Sequence, residues 1–162
     1  MSKLFRAYYK SRIGVIELVS SESKLISCNF VDRYNSSTPE ISQVVLLEVL
    51  KQIDEYFNRN RKEFELELAL EGTEFQKRVW KEVQKIPFGK TITYKELASK
   101  IGNKKAIRAV GNANAKNPFS IIIPCHRVIG SNNDLRGYGG GLERKRQLLD
   151  FEHQIAIRDM KK

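Results

Sequence analysis

The chain has 162 residues, 41% hydrophobic and 30% charged, with a formal net charge of +10, enough for one compact unit or two small domains with a real core. No window reaches the roughly 18 uninterrupted apolar residues of a membrane span, and Met1 to Arg6 lead straight into alternating structure without a signal-peptide core, so a cytoplasmic, nucleoid-associated location is expected. Two cysteines, Cys28 and Cys125, with two histidines, His126 and His153, exclude a disulfide framework and leave a structural zinc site short of ligands; no metal and no cofactor are expected.

Short runs bounded by turn residues come first, at residues 3–9, 13–19 and 25–31, and predict an antiparallel meander. Pro39 then opens an amphipathic helix to about Asn58, with Ile41, Val44, Val45, Leu47, Leu50, Ile53 and Phe57 broadly on one stripe that should cover a sheet face. Phe64, Leu66, Leu68 and Leu70 alternate with glutamates except at Ala69, which predicts a half-buried strand closing a first domain over residues 1–71.

The period turns helical in the second domain, residues 72–162. Thr73 is an N-cap candidate, Phe75, Val79, Trp80, Val83 and Ile86 form the apolar stripe, and Pro87-Phe88-Gly89 is the stop. Thr93 caps a short helix over 94–100, Ile101-Gly102-Asn103 makes a turn, and residues 104–114 form another helix, the outline of a helix-turn-helix; a helical hairpin packed for its own sake shares that outline.

Charge divides at the same place. Residues 1–71 hold 10 Lys/Arg against 11 Asp/Glu, a net −1, and residues 72–162 hold 19 against 8, a net +11. The whole excess lies in the second domain, the footprint of a polyanion partner; nucleic acid leads, with solubility or an acidic membrane as alternatives. The second helix of the pair adds to this, because Ala106, Ala109, Gly111, Ala113 and Ala115 are small and Arg108 is the long side chain at its centre. Such a surface suits close, non-specific docking against a minor groove more than base-edge readout.

The run Ile121-Ile122-Ile123-Pro124-Cys125-His126-Arg127-Val128-Ile129 carries the chemistry. Pro124 should end the strand-like run and set Cys125 at the rim of a core, where a thiol beside a histidine is a candidate nucleophile; a buried packing cysteine is the alternative.

These residues, with Phe75-Gln76, Val79-Trp80, Thr93-Tyr94, Arg108-Ala109-Val110-Gly111, Asn117-Pro118, Tyr138-Gly139-Gly140-Gly141-Leu142, Leu148-Leu149 and Glu152, resemble in order the O6-alkylguanine-DNA alkyltransferase family from about Thr73 to Glu152. The first domain matches in layout. The resemblance implies an α+β chain: an N-terminal ribonuclease-H-like antiparallel sheet with a covering helix, and a mostly helical C-terminal domain with a winged-helix-like helix-turn-helix. It implies DNA repair by irreversible, single-turnover transfer of the alkyl group from O6-alkylguanine to Cys125, with O4-alkylthymine as a further candidate substrate.

By the same resemblance Cys125 is the nucleophile, His126 the base acting through a water, Glu152 the residue that orients it, Tyr94 the proton donor to the departing base, and Asn117 the start of a hinge. Arg108 is the finger that fills the gap left by a flipped nucleotide. Tyr94, Lys95, Asn103, Ala109, Gly111 and Ser131 are further expected DNA contacts, and Tyr138, Gly139 and Gly140 the lip of the base pocket. The expected partner is double-stranded DNA, bound by a monomer through the minor groove without sequence specificity. Gly139 and Gly140 stand where many relatives have serine or arginine, and Ser120 replaces a common proline. A non-catalytic lesion binder, which in alkyltransferase-like relatives replaces the nucleophile, is disfavoured by Cys125, His126 and Glu152 together. A thiol hydrolase would leave the basic helical domain without a purpose.

Overall fold

The computed structural model describes residues 3–34, 43–58 and 61–161, and the chain divides into two compact units, Met1–Leu70 and Glu71–Lys162. In the first, β1 (Phe5–Ser11), β2 (Gly14–Ser20) and β3 (Leu25–Val31) form an antiparallel sheet in chain order. Ala7 pairs with Leu18 and Leu18 with Cys28, so one line of small and medium apolar side chains crosses all three strands on the buried face. Helix α1 (Val44–Phe57) covers that face with Leu46, Val49, Ile53 and Tyr56. Gln43 caps it by accepting a hydrogen bond from the Leu46 N–H. The expected opening of this helix at Pro39, and Ile41 on its stripe, lie outside the described residues.

The strand expected over residues 64–70 is not a strand. It keeps the alternating exposure, but it meets β3 at a single parallel bridge, Leu25 to Leu68. The physical reason is a side chain that takes the place of a neighbouring strand. The buried Gln52 amide accepts from the Glu65 N–H at 2.9 Å and donates to its carbonyl at 3.0 Å, which satisfies this backbone locally.

The second unit opens with α2 (Glu74–Gln84), where Thr73 and Gln76 form a reciprocal capping box. Helix α3 (Tyr94–Lys100) is capped by Thr93 and closes in a Schellman turn: Gly102, at φ 85, donates to the Ser99 carbonyl and Asn103 to that of Ala98. Helix α4 spans Ile107–Ala115, so it starts later than the expected residue 104. Asn103 explains the delay, since its side chain accepts from Lys105 N–H and its carbonyl from Ala106 N–H, which makes residues 103–106 a turn. Trp80 of α2 donates to the Ala113 carbonyl of α4 at 2.8 Å. Strands β4 (Ile92–Thr93) and β5 (Val128–Ile129) pair in parallel, and α5 (Leu142–Met160) ends the unit. Among the described residues no helix is long and apolar enough to cross a membrane.

Candidate active site

The apolar run before Cys125 is not a strand that ends at a rim; residues 121–130 are all buried, and the path is a pair of tight turns. Ile122 donates to the Ser120 carbonyl at 2.8 Å around Ile121, whose φ is 72. A β-branched residue there is strained by about 1–3 kcal/mol and persists only where its surroundings over-determine it. Asn117 supplies that constraint: its amide donates to the carbonyls of Phe119 (3.2 Å) and Ile123 (2.8 Å) and accepts from the Phe119 N–H (2.9 Å). An inverse γ-turn follows at Pro124 (φ −78, ψ 63), with Cys125 N–H bonded to the Ile123 carbonyl. Cys125 then starts a short 3-10 turn, Cys125–Arg127, so its thiol is fixed by backbone geometry on both sides. Burial pushes that thiol up to about 11, against the opposing pull of the Asn117 amide and the Lys145 charge. It rests as a neutral thiol at neutral pH and needs a base to react.

A candidate base lies next in sequence. His126 is fully buried, and its Nε2 meets Glu152 Oε2 at 2.8 Å. A carboxylate only accepts, so Nε2 carries the hydrogen and Nδ1 holds a free lone pair. Nδ1 is buried and has no hydrogen-bond partner among the described residues. Burial lowers the pKa of His126 despite the carboxylate beside it. Arg127 grips the same Glu152, Nε to Oε1 at 2.8 Å and a second guanidinium nitrogen to Oε2 at 3.0 Å, and reaches the Ile86 carbonyl at 2.7 Å. Burial raises the pKa of Glu152, but His126 and Arg127 outweigh it and hold the carboxyl well below the usual range.

Tyr94 is the first residue of α3. Its hydroxyl donates to the Arg136 carbonyl at 2.9 Å and accepts from Lys145 Nζ at 3.3 Å. Lys145 is fully buried, also donates to the carbonyls of Val128 (2.7 Å) and Arg136 (2.6 Å), and is pulled down to about 8 by burial. Burial raises the pKa of Tyr94 above its ordinary value. Helix α5 thus carries a cation at Lys145 and, two turns on, an anion at Glu152, both on its buried stripe with Leu148 and Ile155.

Cys125, His126, Glu152, Tyr94 and Asn117 therefore converge. Lys95 and Ser131 line one groove of about 630 Å³. Arg108 and Ala109 are exposed on α4 and Asn103 in the turn before it. Gly111 faces the Tyr94 ring, where an added Cβ would sit 3.8 Å from two ring carbons. Tyr138 and Gly140 are half-buried; Gly139 is exposed and has ordinary room for a Cβ, 3.7 Å from the Ala115 carbonyl. His153, beside Glu152 in sequence, is exposed. Lys145 and Asn114 are not singled out by the sequence, and Arg127 stands out only as part of the run around Cys125. Lys145 had a signal, a lysine in register with Leu148, Glu152 and Ile155 on an otherwise apolar helix face. No group of three or more His, Cys, Asp and Glu among the described residues is placed to hold a metal.

Residues 74–154 match the DNA binding domain of 6-O-methylguanine DNA methyltransferase, and residues 4–70 match its ribonuclease-like domain. The chain is 44% identical to the methylated-DNA–protein-cysteine methyltransferase of Methanosarcina acetivorans, over 92% of this chain and 98% of that one. The crystal structure of Mycobacterium tuberculosis O6-methylguanine methyltransferase superposes with a TM-score of 0.84 at 41% identity, over 94% of each chain. That protein's complex with DNA superposes with a TM-score of 0.82 at 41% identity, over 91% of this chain and 92% of that one. The paired domain matches, in the order in which the two units occur, place this chain in the 6-O-methylguanine DNA methyltransferase family.

Proposed function

We propose that this chain repairs DNA by moving the alkyl group of O6-alkylguanine onto Cys125 Sγ, once per molecule. The observation that carries this is His126: Nε2 is committed to Glu152, which leaves a buried, unprotonated Nδ1 on the residue adjoining the thiol. The S–C bond forms as the C–O6 bond breaks, and the thiol proton passes toward His126, whose imidazolium Glu152 stabilises. A guanine anion is a poor leaving group, so Tyr94 protonates the ring and neutral guanine departs. Lys145, already donating to the Tyr94 oxygen, stabilises and reprotonates the phenolate. The thioether has no route back, since a C–S bond, unlike a disulfide, is not opened by thiol exchange.

The lesion reaches the thiol from DNA bound as a duplex. The +11 of residues 72–162 supplies sequence-independent attraction. Helix α4 docks in the minor groove through Ala109 and Gly111, Arg108 fills the gap of the flipped nucleotide, and Lys95, Asn103 and Ser131 hold the backbone. Tyr138, Gly139 and Gly140 border the base. Asn117 keeps the path from α4 to the nucleophile. The protein acts as a monomer in the nucleoid-containing compartment.

Single-turnover loss of O6-methylguanine from a duplex tests the proposal, with wild type, Cys125→Ser and Arg108→Ala compared. Wild type should clear one lesion per molecule, Arg108→Ala should slow clearance, and Cys125→Ser should bind without clearing. Lesion binding by wild type with no clearance would make the chain a damage-recognition protein instead.

A further inference from the structure

Resting on the duplex docking through α4 proposed above, we infer that the groove between α2 and the end of α3 binds phosphates of the same DNA, where a strand runs past the stretch that α4 covers. The groove holds about 430 Å³. Its lining carries Arg78, Lys81, Lys85 and Lys100 against the carboxylate of Glu82, four positive charges to one negative, a net +3. Arg78, Lys81 and Lys85 stand at i, i+3 and i+7 along α2 and its C-cap, so they form one stripe on a single helix face. Folding accounts for part of the cluster: Arg78 donates to the Ile101 carbonyl at the end of α3, and Lys85 pairs with Glu82 at 2.8 Å. Lys81 and Lys100 serve no such purpose. Both are exposed, and neither side chain makes an ion pair or hydrogen bond among the described residues. Like charges gathered in one concavity repel each other and focus a field that draws in a polyanion.

Continuity with the docking helix makes DNA the polyanion. Lys100 and Ile101, at the α3 end of the groove, lead into the turn at Gly102 and Asn103, and the exposed Lys104 and Lys105 carry the positive surface on to Arg108. The lengths agree with a flanking contact. Helix α4 has 9 residues, about 13 Å of axis, which spans only about four base pairs. That stretch is too short to engage the whole +11 of residues 72–162. From Arg78 to Lys85 the axis advances about 10 Å, the length of about three phosphates on one strand, against a groove of net +3. Lysine and arginine on an open groove wall fix a backbone without reading base edges, which suits a protein that must dock wherever a lesion falls.

The test is the salt dependence of binding, read by fluorescence anisotropy for wild type and the double variant Lys81→Gln/Lys100→Gln. Neither of these side chains holds the fold together, so the variant keeps Arg78 on Ile101 and Lys85 on Glu82. Two unmodified DNAs are compared: a hairpin stem of about six base pairs, little longer than the span of α4, and a duplex of about thirty. Each phosphate contact adds about 0.9 to the slope of log K against log salt. On the long duplex the variant should therefore show a slope shallower by about 2, with its affinity loss greatest at low salt. On the short stem its slope should match that of wild type. An unchanged slope on the long duplex would overturn the inference, as would equal shallowing on both DNAs, which would place the two lysines inside the stretch that α4 covers. Wild type that binds neither DNA would instead overturn the docking reading itself.

Discussion

Gly111→Ala separates two demands on helix α4 that act in opposite directions. Glycine in a helix interior is less favourable than alanine by about 1 kcal/mol. Nothing within the unit requires it: the helix is regular there, and an added Cβ would meet Cδ1 and Cε1 of Tyr94 at 3.8 Å, an ordinary contact. The free protein should therefore gain about 1 kcal/mol and melt about 2–8 °C higher, toward the lower end if both units unfold together. If α4 docks on DNA as proposed, the same methyl enters a close-packed contact there. One methyl forced into a packed contact costs about 1–3 kcal/mol, which weakens binding roughly 5- to 150-fold. Differential scanning calorimetry and fluorescence anisotropy with an unmodified duplex would read the two effects. The salt dependence should stay that of wild type, since no phosphate contact is touched. Transfer from a free O6-alkylguanine base, which bypasses docking, should be unchanged. A variant that is more stable yet binds duplex as tightly as wild type would refute close docking of α4, and one that melts lower would refute the room assigned beside Tyr94.

Three further outcomes follow from the site. Glu152 is held below the usual carboxyl range by His126 and Arg127, and His126 is lowered by burial, so in both cases the unfolded chain binds the proton more readily. This stability is present above about pH 6.5 and starts to be lost as pH falls below 6.5 for His126 and below 4.5 for Glu152, the unperturbed values, the loss continuing down to each group's lower folded value; urea midpoints should fall as pH drops, and less steeply just below 6.5 in His126→Gln. Lys145→Met takes a donor from the Val128 carbonyl and from the Arg136 carbonyl, which keeps its bond from Tyr94, and removes the charge beside Tyr94, so it should cost about 1–3 kcal/mol in stability and slow transfer more than DNA binding, as single-turnover kinetics beside anisotropy would show. Alkylation of Cys125, 5% exposed among wholly buried neighbours, overpacks the site by about 1–3 kcal/mol, so the alkylated protein should melt lower; an unchanged or higher melting temperature would contradict that crowding.

Local signals were legible where local physics decides. The Thr73 cap, the Pro87 stop and the meander are written in neighbouring residues, and they formed as expected. The segment over residues 64–70 shows where periodicity runs out, because alternation sets which side chains face inward but not what satisfies the backbone, and Gln52 took that part from another element. The strained turn at Ile121 was likewise hidden, since three apolar isoleucines read as strand and only the Asn117 amide folds them otherwise. The partnership of His126 with Glu152 spans 26 positions, and the resemblance, not spacing, pointed to it. Arg127, Lys145 and Asn114 act largely through bonds to distant backbone or to one another's partners, which no periodicity records.

The central claim is that Cys125 accepts the alkyl group, and intact-protein mass after incubation with a duplex carrying O6-methylguanine tests it most directly, beside Cys125→Ala and an unmodified duplex. The account predicts a stable gain of one methyl group in wild type alone and with the lesion alone, mapped to the peptide that carries Cys125. No gain in wild type, or a gain that survives Cys125→Ala, would contradict it.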